Sequence, residues 1–590
     1  MFAKYLTRPW VWLAWAAVSV GLTFPSLLWH LNYFATYGPR FRQTFPVLAI
    51  LLAGACAAYV YFRARRLWRY ELAGLAGIAV VGMAIYQPRA TLLAILIGTA
   101  QFALGRRTLR TFGFSFAGIA EEIALSSAAG IAETMGALFV LGLLHLFYPV
   151  VFLAMLALPC VVLFSEVKRL FVLLRRAHQR WTSLTLLRCA PAGVLVFFSA
   201  IFLVCSLAVI LSPSLVFDAL SYHLADARYF AESHALAPLR FQPNSYFPQG
   251  FEVLMAMAFA LGGQPAAQMI APLFFILSLA AAFAVARRCG ITSHAALAGL
   301  AFVAATPFLL FEGAVVKNDF ALAFFLLCAL ACCLRSVYFS AACLGSAFAI
   351  KHVALFAAVP LGIIYLIAIR SRPNRIRTAI ALAALFLTTG AYWQVRTFLL
   401  TGNPVYPFAT ADTLTVRTGR SRKTLPEKFI RWIQIPWHAQ FDGSRHFESD
   451  SPSPLGALLV FSLPVWLLTR RRSSAKRACL LFAGLYLLYW SFEWAILRFA
   501  IAPIVVMLLF LADRAAHLYC AAPRFTRAVL TCCVFYCGVI SLLVVTLLQI
   551  NGPELKIFAR QLDWPGYLRT WNSAYASLEY LRARAQPGDL

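Results

Sequence analysis

The chain has 590 residues, of which 62% are hydrophobic and only 12% charged, with a mean hydropathy of +0.78, and so few charges exclude a soluble fold of this length. A net charge of +29 would suit nucleic acid. The basic residues, however, sit in short clusters between apolar runs, as in RARRLWRY (63–70), GRRTLR (105–110) and RRRSSAKR (470–477). That is the positive-inside pattern of a membrane protein, and no basic face interleaved with aromatics appears, so nucleic acid is excluded as a partner.

Many apolar runs reach the ~17–25 residues that a helix needs to cross the hydrocarbon. Strand-like alternation is lacking, so a barrel is excluded and the fold class is an all-α polytopic membrane protein. The first run, 9–30, follows Lys4 and Arg8 and has no small-residue cleavage site after it, so it reads as a retained helix. Further spans are expected near 44–62, 71–87, 90–104, 126–147, 149–165, 191–211, 268–286, 295–311, 319–335, 337–350, 353–369, 378–399, 454–469, 477–492, 498–512 and 527–548, about 17 in all. With the N-terminus in the cytoplasm, most basic clusters fall on the cytoplasmic side; the densest is 166–190, with Lys168, Arg169, Arg175, Arg176, Arg180 and Arg188. The segments 212–267, 312–318, Lys351–His352, 400–453 and 549–590 then share the external face. None of the 14 cysteines falls in them, so no disulfide framework is implied. Zinc-like spacing is not evident, and no metal or cofactor is assigned. The chain divides into three: six spans in 1–190, a core in 191–515 that carries nearly all external polar residues, and a last span with a short external tail in 516–590.

Four constellations stand out. Asp218 comes directly after a span that ends near Leu211. A carboxylate at that boundary is costly unless it is used or paired, and partial desolvation would make it a stronger general base. Asp is also a favoured helix N-cap, and the two readings are compatible. Residues 218–233 read as an amphipathic helix lying on the membrane, with Leu220, Leu224, Ala227 and Phe230 apolar and Asp226, Arg228 and Glu232 polar. In EGAVVKNDFALAFF (312–325), Glu312 closes one span and Asp319 opens the next beside Lys317. The pair is either an exposed Lys–Asp bridge or part of a second acidic position facing Asp218. Lys351, His352, Arg396 and Arg498 are cations or potential cations at membrane depth. They either snorkel to the interface or bind a phosphate. TGNPVYPF (401–408), with Tyr406, makes a rigid turn at the start of the long external loop.

Together the motifs DALSYHL (218–224), NSYFPQGFE (244–252), VKNDFALAFF (316–325), AFAIKH (347–352), TGNPVYPF (401–408) and RFAIAP (498–503) resemble the GT-C superfamily of lipid-dependent glycosyltransferases. The likeness is to the bacterial branch with RgtA/B/C/D-like, ArnT-like and protein O-mannosyltransferase-like enzymes, and it covers roughly 191–515. The resemblance implies a GT-C-like helical bundle in the bacterial inner membrane with its active site outside the cytoplasm. It implies transfer of a sugar from a polyprenyl-phosphate donor to a hydroxyl of a lipid, glycan or protein acceptor. Asp218 then matches the catalytic base and Asp319 the assisting acid. His223, Tyr246, Glu312, Lys351, His352, Arg396, Tyr406 and Arg498 are the substrate-binding candidates, with Lys351 and Arg498 nearest the lipid phosphate. The six N-terminal spans depart from the family's common core. A transporter or flippase of lipid-linked sugars is the alternative, as is an inactive scaffold of the same fold.

Overall fold

A computed structural model describes residues 9–41, 81–182, 190–239, 242–370, 373–407, 473–492, 496–550, 562–571 and 575–584, with isolated positions between 426 and 455 and at 557. Among the described residues there are helices and turns but no strand. In chain order the helices are α1 (Pro9–Phe41), α2 (Pro88–Thr111), α3 (Ile119–Leu143), α4 (Pro149–Val162), α5 (Phe164–Thr182), α6 (Ala190–Leu211), α7 (Leu224–Glu232), α8 (Gly250–Gln268), α9 (Ile270–Arg288), α10 (Ser293–Ala304) and α11 (Pro307–Ala314). They continue with α12 (Asp319–Cys332), α13 (Val337–Ile350), α14 (Leu355–Ile369), α15 (Arg375–Phe386), α16 (Tyr392–Thr401), α17 (Ser474–Phe492), α18 (Ile501–Ala521), α19 (Arg524–Ile550), α20 (Trp564–Trp571) and α21 (Tyr575–Arg584).

The chain is an all-α polytopic membrane protein. Nine helices among the described residues are long and apolar enough to cross a membrane, or eleven if two bent pairs each count as one span. The bent pairs are α4 with α5, at 78°, and α10 with α11, at 74°. Two of the expected spans, 319–335 and 337–350, are shorter apolar helices, α12 and α13. The expected spans at 44–62 and 454–469, and most of 71–87, lie outside the described residues.

Local chemistry sets the breaks. Pro149 and Pro307 open α4 and α11, where a missing N–H costs nothing. Thr292 caps α10 through its side chain and Ser336 caps α13. Gly402, at φ 72°, ends α16 in the left-handed conformation that favours glycine. Helices approach closely where side chains are small. A Cβ on Gly130 in α3 would collide with the Gln101 carbonyl of α2, and one on Gly390 would collide with the carbonyl of Gly345 in α13.

At the centre lies α12, every residue of which is buried. It packs on α9 and α13, while α9 packs on α3. The helices before residue 190 therefore rest directly on those after it. One segment expected to be wholly external differs: 250–268 forms α8, an apolar helix buried against α2, α3 and α7. Its apolar run is cut by Glu252 at one end and by Gly262, Gly263, Pro265 and Gln268 at the other. The uninterrupted stretch is too short to read as a span.

Candidate functional site

Four charged side chains from four separate segments meet at one end of α12. After α6 the chain has no regular structure through 213–216 and then enters a π-helical turn, Ala219–His223, that continues into α7. Asp218 sits at the start of that turn in helical conformation and makes no capping bond. The N-cap reading is thereby corrected. Its carboxylate turns away from the local amides and accepts the Arg498 Nη1–H at 2.6 Å. Arg498 lies in the 3₁₀ turn Leu497–Ala500 that leads into α18. Its Nε is 3.9 Å from Oδ2 of Asp319, the first residue of α12. Oδ1 of Asp319 accepts from Lys351 Nζ at 2.7 Å, and Lys351 also donates to Asn318 Oδ1 at 2.9 Å. Both cations lie over the Phe499 ring, Lys351 Nζ at 4.6 Å and the Arg498 guanidinium at 5.5 Å from its centroid.

The result is a chain of alternating charge, Asp218–Arg498–Asp319–Lys351. Three of its members keep some access, with side-chain exposures of 15%, 12% and 18% for Asp218, Arg498 and Lys351, against 1% for Asp319. A buried carboxylate is tolerated only with partners, and removing one partner of such a pair costs about 3–5 kcal/mol. Asp319 is therefore held by two cations, and Asp218 is the carboxylate nearer the surface.

A second polar layer lies beside this one. His223 Nδ1 and Glu252 Oε1 are 2.6 Å apart, and both side chains are buried. Burial pulls the imidazole well below its ordinary pKa and the Lys351 charge pushes the same way, so the ring is neutral and the contact shares one proton. His223 Nε2 has no hydrogen-bond partner. Asp226, expected on the polar face of a membrane-surface helix, is fully buried with neither oxygen hydrogen-bonded. Burial pushes its carboxyl up to about 7, against the opposing pull of Gln249 and Arg396. The helix does not lie on lipid through this face: Leu224, Ala227 and Phe230 bury against protein, chiefly α8, while Leu220 is exposed. Arg228 and Glu232 remain an exposed pair at 2.7 Å.

The other expected residues take three positions. An exposed Lys317–Asp319 bridge is not what forms, because both side chains are buried. Lys317 lies 3.3 Å from Glu312 of α11, while Asp319 takes Lys351. Arg396 of α16 neither snorkels nor points at the cluster. Its guanidinium is buried and donates to the Ser245 and Leu236 carbonyls at 3.2 and 3.3 Å, and Thr397 beside it donates to the Tyr246 carbonyl at 2.7 Å. The pair pins the loop that returns from α7 to α8. His352, Tyr246 and Tyr406 form an aromatic group around Phe247: the Phe247 ring is 6.3 Å from both His352 and Tyr406, and Tyr246 is 6.0 Å from Tyr406. In the expected external loop 400–453, whose tryptophans and Phe441 suit a membrane interface, Trp437 is exposed, and Trp432 and Phe441 lie outside the described residues.

No protein-family model matches the chain, and no solved structure matches it. An uncharacterized protein of Shigella flexneri is 30% identical over 107 residues, which is 18% of this chain and 53% of that protein. The chain thus spans about half the length of the curated relative it matches.

Sequence reasoning passes over Glu252, the buried placement of Asp226 and a charge network at the far end of α12. There, Glu122 of α3 accepts from Arg106 of α2 at 2.8 Å and from both Nε and Nη2 of Arg169 of α5, at 2.9 and 2.7 Å. Glu166 of α5 pairs with Arg106 and Arg110. Glu121 pairs with Arg288 at 2.5 Å and with Arg335, just past α12, at 3.2 Å. The only sequence signal is that these acids sit beside apolar runs otherwise flanked by arginine.

Proposed function

We propose that the protein is a glycosyltransferase of the bacterial inner membrane that moves a sugar from a polyprenyl-phosphate donor to an acceptor hydroxyl on the extracytoplasmic face. The observation that carries this reading is the meeting of Asp218, Arg498, Asp319 and Lys351 at the ends of apolar helices. A donor with an isoprenoid tail presents its phosphate at that depth, and cations held beside a carboxylate suit the reaction.

In the reaction, the acceptor oxygen attacks the anomeric carbon as the bond from that carbon to the phosphate oxygen breaks. The polyprenyl phosphate departs with the electron pair, and Asp218 accepts the acceptor's proton. Negative charge grows on the phosphate and positive charge on the sugar ring. Fixed cations stabilise that separation more than they stabilise the ground state. Arg498 already orients on a carboxylate through Nη1, and a guanidinium is the planar group that suits a two-point grip on phosphate. Lys351 supplies a point charge. Asp319, the most buried of the four, keeps both cations in place and is a positioning residue in this scheme.

The test compares lipids and glycans of cells with and without the protein by mass analysis. Transfer from a radiolabelled polyprenyl-phosphate sugar is then assayed in membranes carrying wild type or Asp218→Asn. A new glycosylated product that disappears with the variant is expected. Full activity in Asp218→Asn would remove Asp218 as the base. Movement of the lipid-linked sugar without covalent change would overturn the transferase reading.

A further inference from the structure

The basic segment 166–190 is expected from sequence as a cytoplasmic loop, yet its described part is helical. The 19-residue helix α5 comes after α4 at a bend of 78°. Residues that α4 exposes are apolar, among them Val150, Leu153 and Val161. If such a helix crosses toward the bilayer surface, a near-perpendicular continuation runs along that surface.

The sequence of α5 has the two flanks such a position requires. At about 100° per residue, Phe164, Phe171 and Leu174 fall on one flank, and all three are exposed. Lys168, Arg175 and Arg176 occupy the next flank, also exposed. Between the two, Lys168 Nζ lies 4.7 Å from the centroid of the Phe164 ring. The remaining face is committed to protein. Leu173 is buried, Glu166 takes Arg106 and Arg110, and Arg169 takes Glu122. These bonds fix the rotation of α5 about its axis, so its two free flanks have a set direction. In water, three large exposed apolar side chains beside three cations would be an expensive surface. At a bilayer surface the apolar flank enters the acyl chains and the cations meet phosphodiesters.

We infer that α5 is an in-plane helix that binds anionic phospholipid headgroups through Lys168, Arg175 and Arg176, with Phe164, Phe171 and Leu174 inserted beneath them. The inference does not rest on the glycosyltransferase reading, since it uses none of the residues of the Asp218 cluster.

The experiment uses full-length protein in mild detergent, titrated with phosphatidylglycerol or phosphatidylcholine and read by native mass spectrometry. Wild type is expected to bind phosphatidylglycerol in preference, with affinity falling as salt rises. The triple variant K168Q/R175Q/R176Q is expected to lose about a hundredfold in phosphatidylglycerol affinity, from about fivefold per cation at an anionic surface, with an unchanged elution profile. R175K/R176K is expected to retain binding, because a charged surface asks only for point charges. The control R375Q/R377Q/R524Q removes exposed cations elsewhere and is expected to bind like wild type. Equal binding of the two lipids by wild type, retained affinity in the first triple variant, loss of binding in R175K/R176K, or an equal loss in the control would each overturn the inference.

Discussion

The two ends of α12 carry charge in different ways. At one end two acids and two bases from distant segments alternate, one base is a lysine, and one carboxylate, Asp218, keeps 15% exposure. At the other, three glutamates are bridged by five arginines from α2, α5, α9 and the turn after α12. Arginine forks bind carboxylates at two points and fix helices against each other. A lysine shared between Asp319 and Asn318 fixes less and leaves charge available. The contrast teaches that a buried ion pair alone says little about function. What separates a lock from a site is whether the carboxylates are saturated by rigid partners or left with a surface-facing member.

That contrast can be broken by experiment. Asp218→Asn should lower sugar transfer by about 10²–10⁴-fold, the usual contribution of a general base, while thermal unfolding in detergent shifts little. A large fall in stability with unchanged turnover would make the Asp218 end a second lock. Glu122→Ala should do the reverse. It strands Arg169 and half of the Arg106 pairing, so unfolding free energy should drop by about 3–5 kcal/mol, with turnover per folded molecule preserved.

Asp226 belongs to neither class, because it is a buried acid without a hydrogen-bond partner. Its folded pKa of about 7 stands above the unfolded value of 3.8. The folded state therefore holds the extra proton, and the stability this contributes is full below about pH 4 and is lost as pH rises through 7. Asp226→Asn should flatten that fall and stabilise the protein at pH 8 by on the order of 2–4 kcal/mol, at about 1.4 kcal/mol per unit. Unfolding midpoints of both proteins at pH 5 and pH 8 would show it. Identical pH slopes would mean that Asp226 is not the titrating group. Arg228→Ala removes an exposed i,i+4 pair and should change stability by no more than about 0.5 kcal/mol.

The membrane class is legible in the sequence, because apolar run length is a property of contiguous residues. Asp218 is legible too, as a charge at the end of such a run. Its partner Arg498 stands 280 residues away, a separation that no local pattern encodes. Lys317 and Asp319 are near enough in the chain to suggest a pair. Both are buried, however: Lys317 lies by Glu312, five residues back, and Asp319 takes Lys351, 32 residues on. Within α7 the expected apolar residues Leu224, Ala227 and Phe230 do bury, but Asp226 and Ala231 bury with them, so the covered face is wider than one apolar stripe. His223, three residues before Asp226, shares its side of the helix. The buried acids of α3 and α5 escape notice because positive-inside counting weighs arginines and gives acids little weight.

The central helix has a consequence for the membrane around it. With 14 residues, α12 is about 21 Å long, short of the ~30 Å of hydrocarbon. A lipid-facing helix of that length would force the bilayer to thin or would tilt its neighbours. Because no side of α12 meets lipid, the depth of Asp319 is set by the surrounding helices and not by the acyl chains. Reconstitution in lipids of shorter or longer chain should therefore leave turnover at the Asp319 end nearly level.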